Sequence, residues 1–516
     1  MSSSRAVLGL FLFTVALQAQ VPPLLDEWAE RTRQQFDIPG IAVAIVKDGQ
    51  VLASRGYGVR KLGNTAKVDA HTLFGIASNT KAFTTAALAI LADEGKLNWD
   101  DNVTKHLPTF ALQDPYVTRE LTVRDLVTHR TGLGLGAGDL MFWPNTTFTR
   151  QQVLQGASQI KPATSFRSAY AYNNTMFVVA GQIIEAVTGK PYEDFIVNRI
   201  FKPLQMTEAR LSNNGLTDKD NTAVPHSRGW RLEGKLEPID WTRDDTWAAA
   251  AGVKANVTDL AKWMNVHLAQ GQIQEGSRLF SERMSRAMLS AQTVIAVGQQ
   301  PKLLSDQQAQ FSAYGLGWFL KDYRSHKVAY HGGGLTGMVT QTTLVPGLKL
   351  GVVVLTNQEE GGAFQALTNL ILDYYLNANG PDWITAIHNN VQVGRKRQNE
   401  RETKALAARN PNTKPSLDLK DYAKEYRDAW YGPATIALRD NHLHLRMHAT
   451  PAMQGQLEHF QHNTFIARFN DKTIPDAYCN FHLDNQGKVE SLKMQAISDL
   501  ADFSFDYHDL DFRPKD

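Results

Sequence analysis

Apolar and polar positions follow two different periods along the chain. Apolar residues recur at helical spacing from Leu24 to Gln35, ahead of Pro39-Gly40, which predicts an amphipathic helix. Ile41 to Val46 is a continuous apolar run, Asp48-Gly49 is a turn signal, and Val51 to Ser54 follows, so a β-hairpin is expected. Ser78 to Glu94, closed by Gly95, and Thr175 to Val187, closed by Gly189, read as apolar helices. Leu121 to Leu133 begins as a helix that should end at Gly132. Asn256 to Leu268 is a further helix, with Asn256 placed to cap at Asp259. Short β-like runs return at Tyr314 to Leu320, Val328 to His331, Val339 to Val345 and Leu350 to Asn357, with Pro346-Gly347 turning between the last two. Gly362 to Asn377 reads as a closing helix.

The order is hairpin, helices, strands, helix. It predicts an α+β fold: one antiparallel sheet assembled from both ends of the domain, flanked by helices, with a helical insertion between. From Arg395 to Arg409 the chain is densely charged and reads as a solvated helix or linker. Beyond Ser416 the texture is all-β, with alternating runs at Ala434 to Leu438, His442 to His448, Thr464 to Phe469 and Phe481 to Leu483. A small all-β barrel of about 100 residues fits it. The expected organisation is a leader over 1–19, a main domain over 20–380, a charged linker over 381–415 and a barrel over 416–516.

Composition changes this picture little. The chain has 516 residues, 43% of them hydrophobic, enough for a sizeable core, and a net charge of +2 with no clustered basic face to read as a nucleic-acid site. Arg5, the apolar run Ala6 to Leu17 and Ala19 before a cleavage point resemble a secretory signal. That run is short of the roughly 20 residues a membrane span takes. An exported protein, periplasmic or secreted, without a transmembrane segment once the signal is removed, is expected. The single cysteine, Cys479, rules out an intramolecular disulfide and reads as a small packed residue.

Three short patterns carry chemistry. In Ser78-Asn79-Thr80-Lys81, positions i and i+3 share a helix face. A serine hydroxyl needs a base, and a lysine serves if burial lowers its pKa; the helix N-terminus offers N–H groups to an oxyanion. Ser158 and Lys161 have the same spacing but run into Pro162. In Tyr172-Asn173-Asn174, a tyrosine beside a lysine ammonium would favour its phenolate and could relay protons, while Asn174 could bind a substrate carbonyl; Tyr375-Leu376-Asn377 repeats the pattern at a helix end. In His331-Gly332-Gly333-Gly334, glycines let a substrate backbone lie against an edge strand.

Taken in order, Ser-x-x-Lys, Tyr-x-Asn and His-x-Gly resemble the serine β-lactamase and penicillin-binding-protein family, in its class C-like, D-peptidase and esterase branch. The segments GIASNTKAFTTAAL, LTVRDLVTHRTGL, YAYNNTMFVVAGQIIEAVTG, NVTDLAKWM and YGLGW are similar to that family's, so the likeness covers roughly Leu24 to Asn377. LEHFQHNTFIARF, in the tail, resembles the lipocalin-like domain appended to such hydrolases. The resemblance implies that Ser78 is acylated, that Lys81 and Tyr172 exchange its proton and activate water, and that Asn174 orients substrate. It implies an oxyanion hole from the N–H groups of Ser78 and Gly334, with His331 and Gly333 on the substrate-binding strand. No cofactor or metal is implied. True β-lactamases usually carry lysine where His331 stands, and a histidine is only partly charged near neutrality.

The expected function is therefore an exported serine hydrolase acting through an acyl-enzyme on small peptides, including D-amino-acid peptides, or carboxylic esters. The alternatives are a β-lactamase or D-Ala-D-Ala carboxypeptidase and, from another class, a ligand-binding sensor with little turnover. The partner is a small-molecule or peptide substrate, with room left for oligomeric assembly. His442, His444 and His448 alternate on one strand face and could in principle hold zinc, but a polar face is the expected reading. His129 is expected to cap a helix end.

Overall fold

The computed structural model describes residues 20–213, 215–217, 220–230, 234–243 and 245–515, so the expected leader lies outside the described residues. The N-terminal hairpin, β1 (Gly40–Lys47) and β2 (Gln50–Gly58), lies beside the last strand of an eight-stranded antiparallel sheet. The other strands are β3 (Thr293–Val294), β4 (Ser312–Tyr314), β5 (Phe319–Tyr323), β6 (His326–Leu335), β7 (Met338–Val345) and β8 (Leu350–Thr356). Their order is β2-β1-β8-β7-β6-β5-β4-β3. Ile41 pairs with Thr356 and Lys47 with Leu350, so the sheet joins both ends of the domain as the sequence order implies.

Alternation along β1 sends its two sets of side chains to two cores. Ile41, Val43 and Ile45 pack with α1 (Leu25–Gln35), α5 (Gly361–Tyr375) and the start of α6 (Trp383–Ala407). Ala42, Ala44 and Val46 face the helical insertion, which contains α2 (Thr80–Asp93), α3 (Thr175–Thr188) and α4 (Val257–Leu268). Helix α2 is buried on every side from Thr80 to Leu91, which accounts for its lack of a polar face. Phe83 stacks on Trp263 of α4 at 3.9 Å between ring centroids. Each such fully buried large side chain stabilises the fold by roughly 1.5–3 kcal/mol.

Two elements differ from expectation. The helix expected from Leu121 covers only Val123–Leu126, under a capping box made by Thr122 and Asp125. Beyond it the chain turns: His129 has a φ of 55°, and Arg130 and Arg167 converge on the buried Asp125 carboxylate. The run Tyr314 to Leu320 is two strands with a tight turn between. A Cβ on Gly317 (φ 76°) would sit 2.9 Å from the Lys81 carbonyl, so that turn abuts α2. The charged stretch is largely the long helix α6, whose first turn is buried while most of its length is solvated.

The C-terminal barrel contains β9 (Glu425–Asp428), β10 (Gly432–Arg439), β11 (His442–Met447), β12 (Gln454–Gln461), β13 (Thr464–Phe469), β14 (Ala477–Leu483), β15 (Val489–Ala496) and β16 (Arg513–Pro514). Its order is β15-β14-β13-β12-β11-β10-β9-β16, and a bridge between Leu492 and Phe512 brings the edges together into a nearly closed barrel. Leu443, Leu445 and Met447 point inward, whereas His442 is exposed and His444 half-buried on the outer face. Among the described residues no three metal-ligating side chains come together. Cys479 is buried in the barrel, where burial pushes its thiol up to about 12. Barrel and insertion share one continuous apolar core.

Candidate active site

Ser78 sits in a 3₁₀ turn, Ala77–Asn79, immediately ahead of α2. Ala77 holds a left-handed φ of 49°, a conformation costing an L-residue about 1–3 kcal/mol and one that clusters at functional sites. Asn79 ties the turn to the sheet. Its amide donates to the Ile76 carbonyl (3.0 Å) and Thr340 Oγ1 (2.9 Å), and its oxygen accepts from the Thr342 N–H (3.2 Å).

Lys81, one helical turn on, is fully buried. Its Nζ donates to Ser78 Oγ (2.9 Å), Asn174 Oδ1 (2.6 Å) and the Ala250 carbonyl (3.1 Å). Burial lowers its pKa to about 7, while the charge of Asp139 works to hold the proton on. Asn173 accepts from the Met176 N–H (3.1 Å) at the start of α3, which leaves Asn174 free to turn inward. Both ends of the Asn174 amide are engaged: the oxygen with Lys81, the nitrogen donating to Asp139 Oδ2 at 2.7 Å. In this state Asn174 links the lysine to a carboxylate, not only the substrate contact the resemblance implies.

Tyr172 is buried beside them, with Lys81 Nζ 4.8 Å from its ring centroid and its hydroxyl near Ser78. The expectation of a phenolate is overturned. Burial raises its pKa well above 10, against the smaller pull of the Ser78 contact, so Tyr172 rests as a neutral phenol. His129 is not a helix cap. Its Nδ1 accepts from the Asn173 N–H (3.1 Å), and its ring lies 4.2 Å from that of Tyr172 and 4.4 Å from that of Tyr314, bracing the tyrosine from behind.

Strand β6 outruns β5, whose pairing ends at Tyr330, so the edge from His331 onward is free and faces the serine turn. A Cβ on Gly333 would lie 2.2 Å from the Ile76 carbonyl; only glycine permits the approach. The two-residue turn after Leu335 makes Leu335–Met338 the closing bonded pair. Gly334 therefore falls in the next, non-bonded pair, and its N–H points off the free edge. His331 is buried, and burial lowers its pKa to about 3. It is neutral: Tyr314 O–H donates to Nε2 (3.0 Å) and Nδ1–H donates to the Gly332 carbonyl (2.6 Å).

Ser78, Tyr172, Asn174, His331 and Gly334 line one cavity of about 450 Å3. Its walls are mainly aromatic, from Trp143, Tyr170, Trp247, Phe319, Tyr330 and Phe503, and none of the described lining residues is lysine or arginine. The other copies of the motifs are elsewhere. The Ser158 hydroxyl ends a helix on the Gln155 carbonyl (2.7 Å), and the Tyr375 hydroxyl donates to the Gln20 carbonyl (2.9 Å).

Sequence reasoning missed Asp139 and the C-terminal segment around Ser504. Asp139 Oδ2 accepts from Asn174 and from Ser504 Oγ (2.8 Å), and burial raises its pKa to about 7. The available signal was a lone acid between glycines and apolar residues, Gly138-Asp139-Leu140.

A serine 2.9 Å from a buried lysine of lowered pKa, beside a free glycine edge, is the arrangement of a serine hydrolase site of the β-lactamase type. The beta-lactamase family model matches residues 25–376, and the chain belongs to that family. A domain of unknown function, DUF3471, matches residues 408–514. The chain is 29% identical to unguisins hydrolase ungD' of Aspergillus campestris over 80% of its own length and 78% of that protein's. It is 27% identical to protein flp of Staphylococcus aureus over 64% and 62% of the two chains. The octameric penicillin-binding protein homologue of Pyrococcus abyssi has the same fold, with a TM-score of 0.59 at 21% identity over 92% of this chain and 97% of that one.

Proposed function

We propose that the protein is an exported hydrolase that forms an acyl-enzyme at Ser78 and cleaves small peptides or carboxylic esters with apolar or aromatic groups next to the scissile bond. The observation that carries this is Lys81 Nζ at 2.9 Å from Ser78 Oγ, with a pKa of about 7. A neutral Lys81 accepts the serine proton as Ser78 attacks, and the N–H groups of Ser78 and Gly334 receive the oxyanion. Tyr172, a neutral phenol, then passes its proton to the leaving group as it takes the serine's proton over from Lys81, so it relays the proton and is not the initial base.

Substrate class follows from the cavity. Its aromatic walls favour apolar side chains, and the neutral His331 gives no fixed cation for a β-lactam carboxylate. The relative named for hydrolysing unguisins supports a hydrolytic reading. Kinetics on a D-aminoacyl amide, an aromatic carboxylic ester and a penam separate the alternatives. The ester or amide should have the larger kcat/KM. A penam turned over with the highest kcat/KM would make the protein a β-lactamase, and no turnover of any of the three would favour the sensor.

A further inference from the structure

We propose that the C-terminal barrel domain completes the catalytic centre, with Ser504 as a positioning residue that governs the protonation of Lys81 through Asp139 and Asn174. The inference rests on the reading of Lys81 as the base of Ser78 and extends it across the domain boundary.

The chain of contacts is short and buried. Ser504 Oγ donates to Asp139 Oδ2 (2.8 Å), Asn174 Nδ2 donates to the same oxygen (2.7 Å), and Asn174 Oδ1 accepts from Lys81 Nζ (2.6 Å). Among the described residues Asp139 Oδ1 has no partner, so one donor from each domain holds the carboxylate by a single oxygen. The barrel side grips the same turn a second time. Asp506 accepts from the N–H groups of Gly138 (2.7 Å) and Leu140 (3.2 Å), which flank Asp139. Ser504 is itself held, its N–H donating to Asp502 Oδ1 at 2.8 Å. The approach is built into the glycines: a Cβ on Gly136 would lie 2.5 Å from the Phe503 carbonyl. Phe503 completes the docking, edge-on to Tyr172 at 5.6 Å.

The electrostatics give the contact a direction. Asp139 faces Lys81 from α2 and Asp502 and Asp506 from the C-terminal segment; Lys81 faces Asp139, with the neutral His129, His331 and Tyr172 around it. The Ser504 and Asn174 donors favour the Asp139 carboxylate, whereas burial and Asp502 oppose it; Asp506, pushed well up by burial and by Asp139, stays protonated. Without the Ser504 hydroxyl, Asp139 keeps its proton to higher pH. Lys81 then loses the negative charge that helps it hold its own and deprotonates at lower pH.

The test is the pH dependence of the rate at which a fluorophosphonate labels the full chain, for wild type, Ser504→Ala and Ser504→Thr. The acid limb of Ser504→Ala should move to lower pH by about half a unit or more. Its limiting rate should fall severalfold, because a weaker base drives the attack. Ser504→Thr, which keeps the hydroxyl, should retain the wild-type limb. A Ser504→Ala limb that coincides with wild type overturns the proposal, even if the variant melts earlier, since a merely structural contact does not move the limb. Should Ser504→Ala fail to fold, Ser504→Cys, a weaker donor of similar size, is read in the same way. A wild type that takes no label at any pH would overturn the reading of Ser78, and this inference with it. A labelled wild type with an unshifted variant overturns this inference alone.

Discussion

At the scale of single residues, burial decides protonation, and protonation decides roles. Lys81 and Tyr172 lie against the same serine, yet burial pushes them in opposite directions on the pH scale and leaves both uncharged forms within reach near neutrality. A base with a lowered pKa is active once it has lost its proton. kcat/KM should therefore rise with pH through about 7 and level off above, and Lys81→Ala should lower turnover by several orders of magnitude while leaving the fold intact. A flat profile from pH 5 to 9 would remove Lys81 from that role. His267 allows a cleaner test of the same physics away from the site. It is buried among Trp263, Phe280 and Trp318, neither ring nitrogen has a partner among the described residues, and burial lowers its pKa to about 3. The unfolded chain binds a proton there below about 6.5 and the folded chain does not, so stability falls as pH drops through that window. Relative to His267→Phe, the wild type should lose about 2 kcal/mol between pH 7.5 and pH 5, measured by urea unfolding.

At the scale of elements, the site is a contact between a helix start and a strand edge. Gly333→Ala would drive a methyl into the Ile76 carbonyl and Thr340 Oγ1, pushing β6 away from the serine turn. We expect a drop in kcat of tenfold or more with little change in melting temperature; unchanged kcat would show that the turn yields. The elements legible in the sequence were those with a clean period or a strong punctuation mark. The β1–β2 hairpin had its Asp48-Gly49 turn, and α3 had Gly189. That Ser78, Lys81 and the glycine edge belong together was legible because each couples a residue type to a fixed local spacing. What escaped was set by distant contacts. His129 is turned by a positive φ and braced by rings from three other segments, and Asp139 gains meaning only from Asn174 and Ser504, which are 35 and 365 residues away. The phenolate expected of Tyr172 failed for the same reason, since spacing shows a neighbouring lysine but not the loss of solvent.

At the scale of the molecule, barrel and hydrolase domain are one packed body. Their apolar core is continuous, and aromatic contacts cross the boundary, among them Trp143 with Phe505 and Phe148 with Tyr431. Calorimetric unfolding should therefore show one cooperative transition; two well-separated transitions would mean that the domains are only loosely docked. The proposed chemistry turns on one serine. Intact mass of the full chain after exposure to a fluorophosphonate, for the wild type and for Ser78→Ala, tests it most directly. One adduct on the wild type and none on the variant is the expected result. An adduct that persists on Ser78→Ala, or none on either protein, would contradict the assignment of Ser78 as the activated nucleophile.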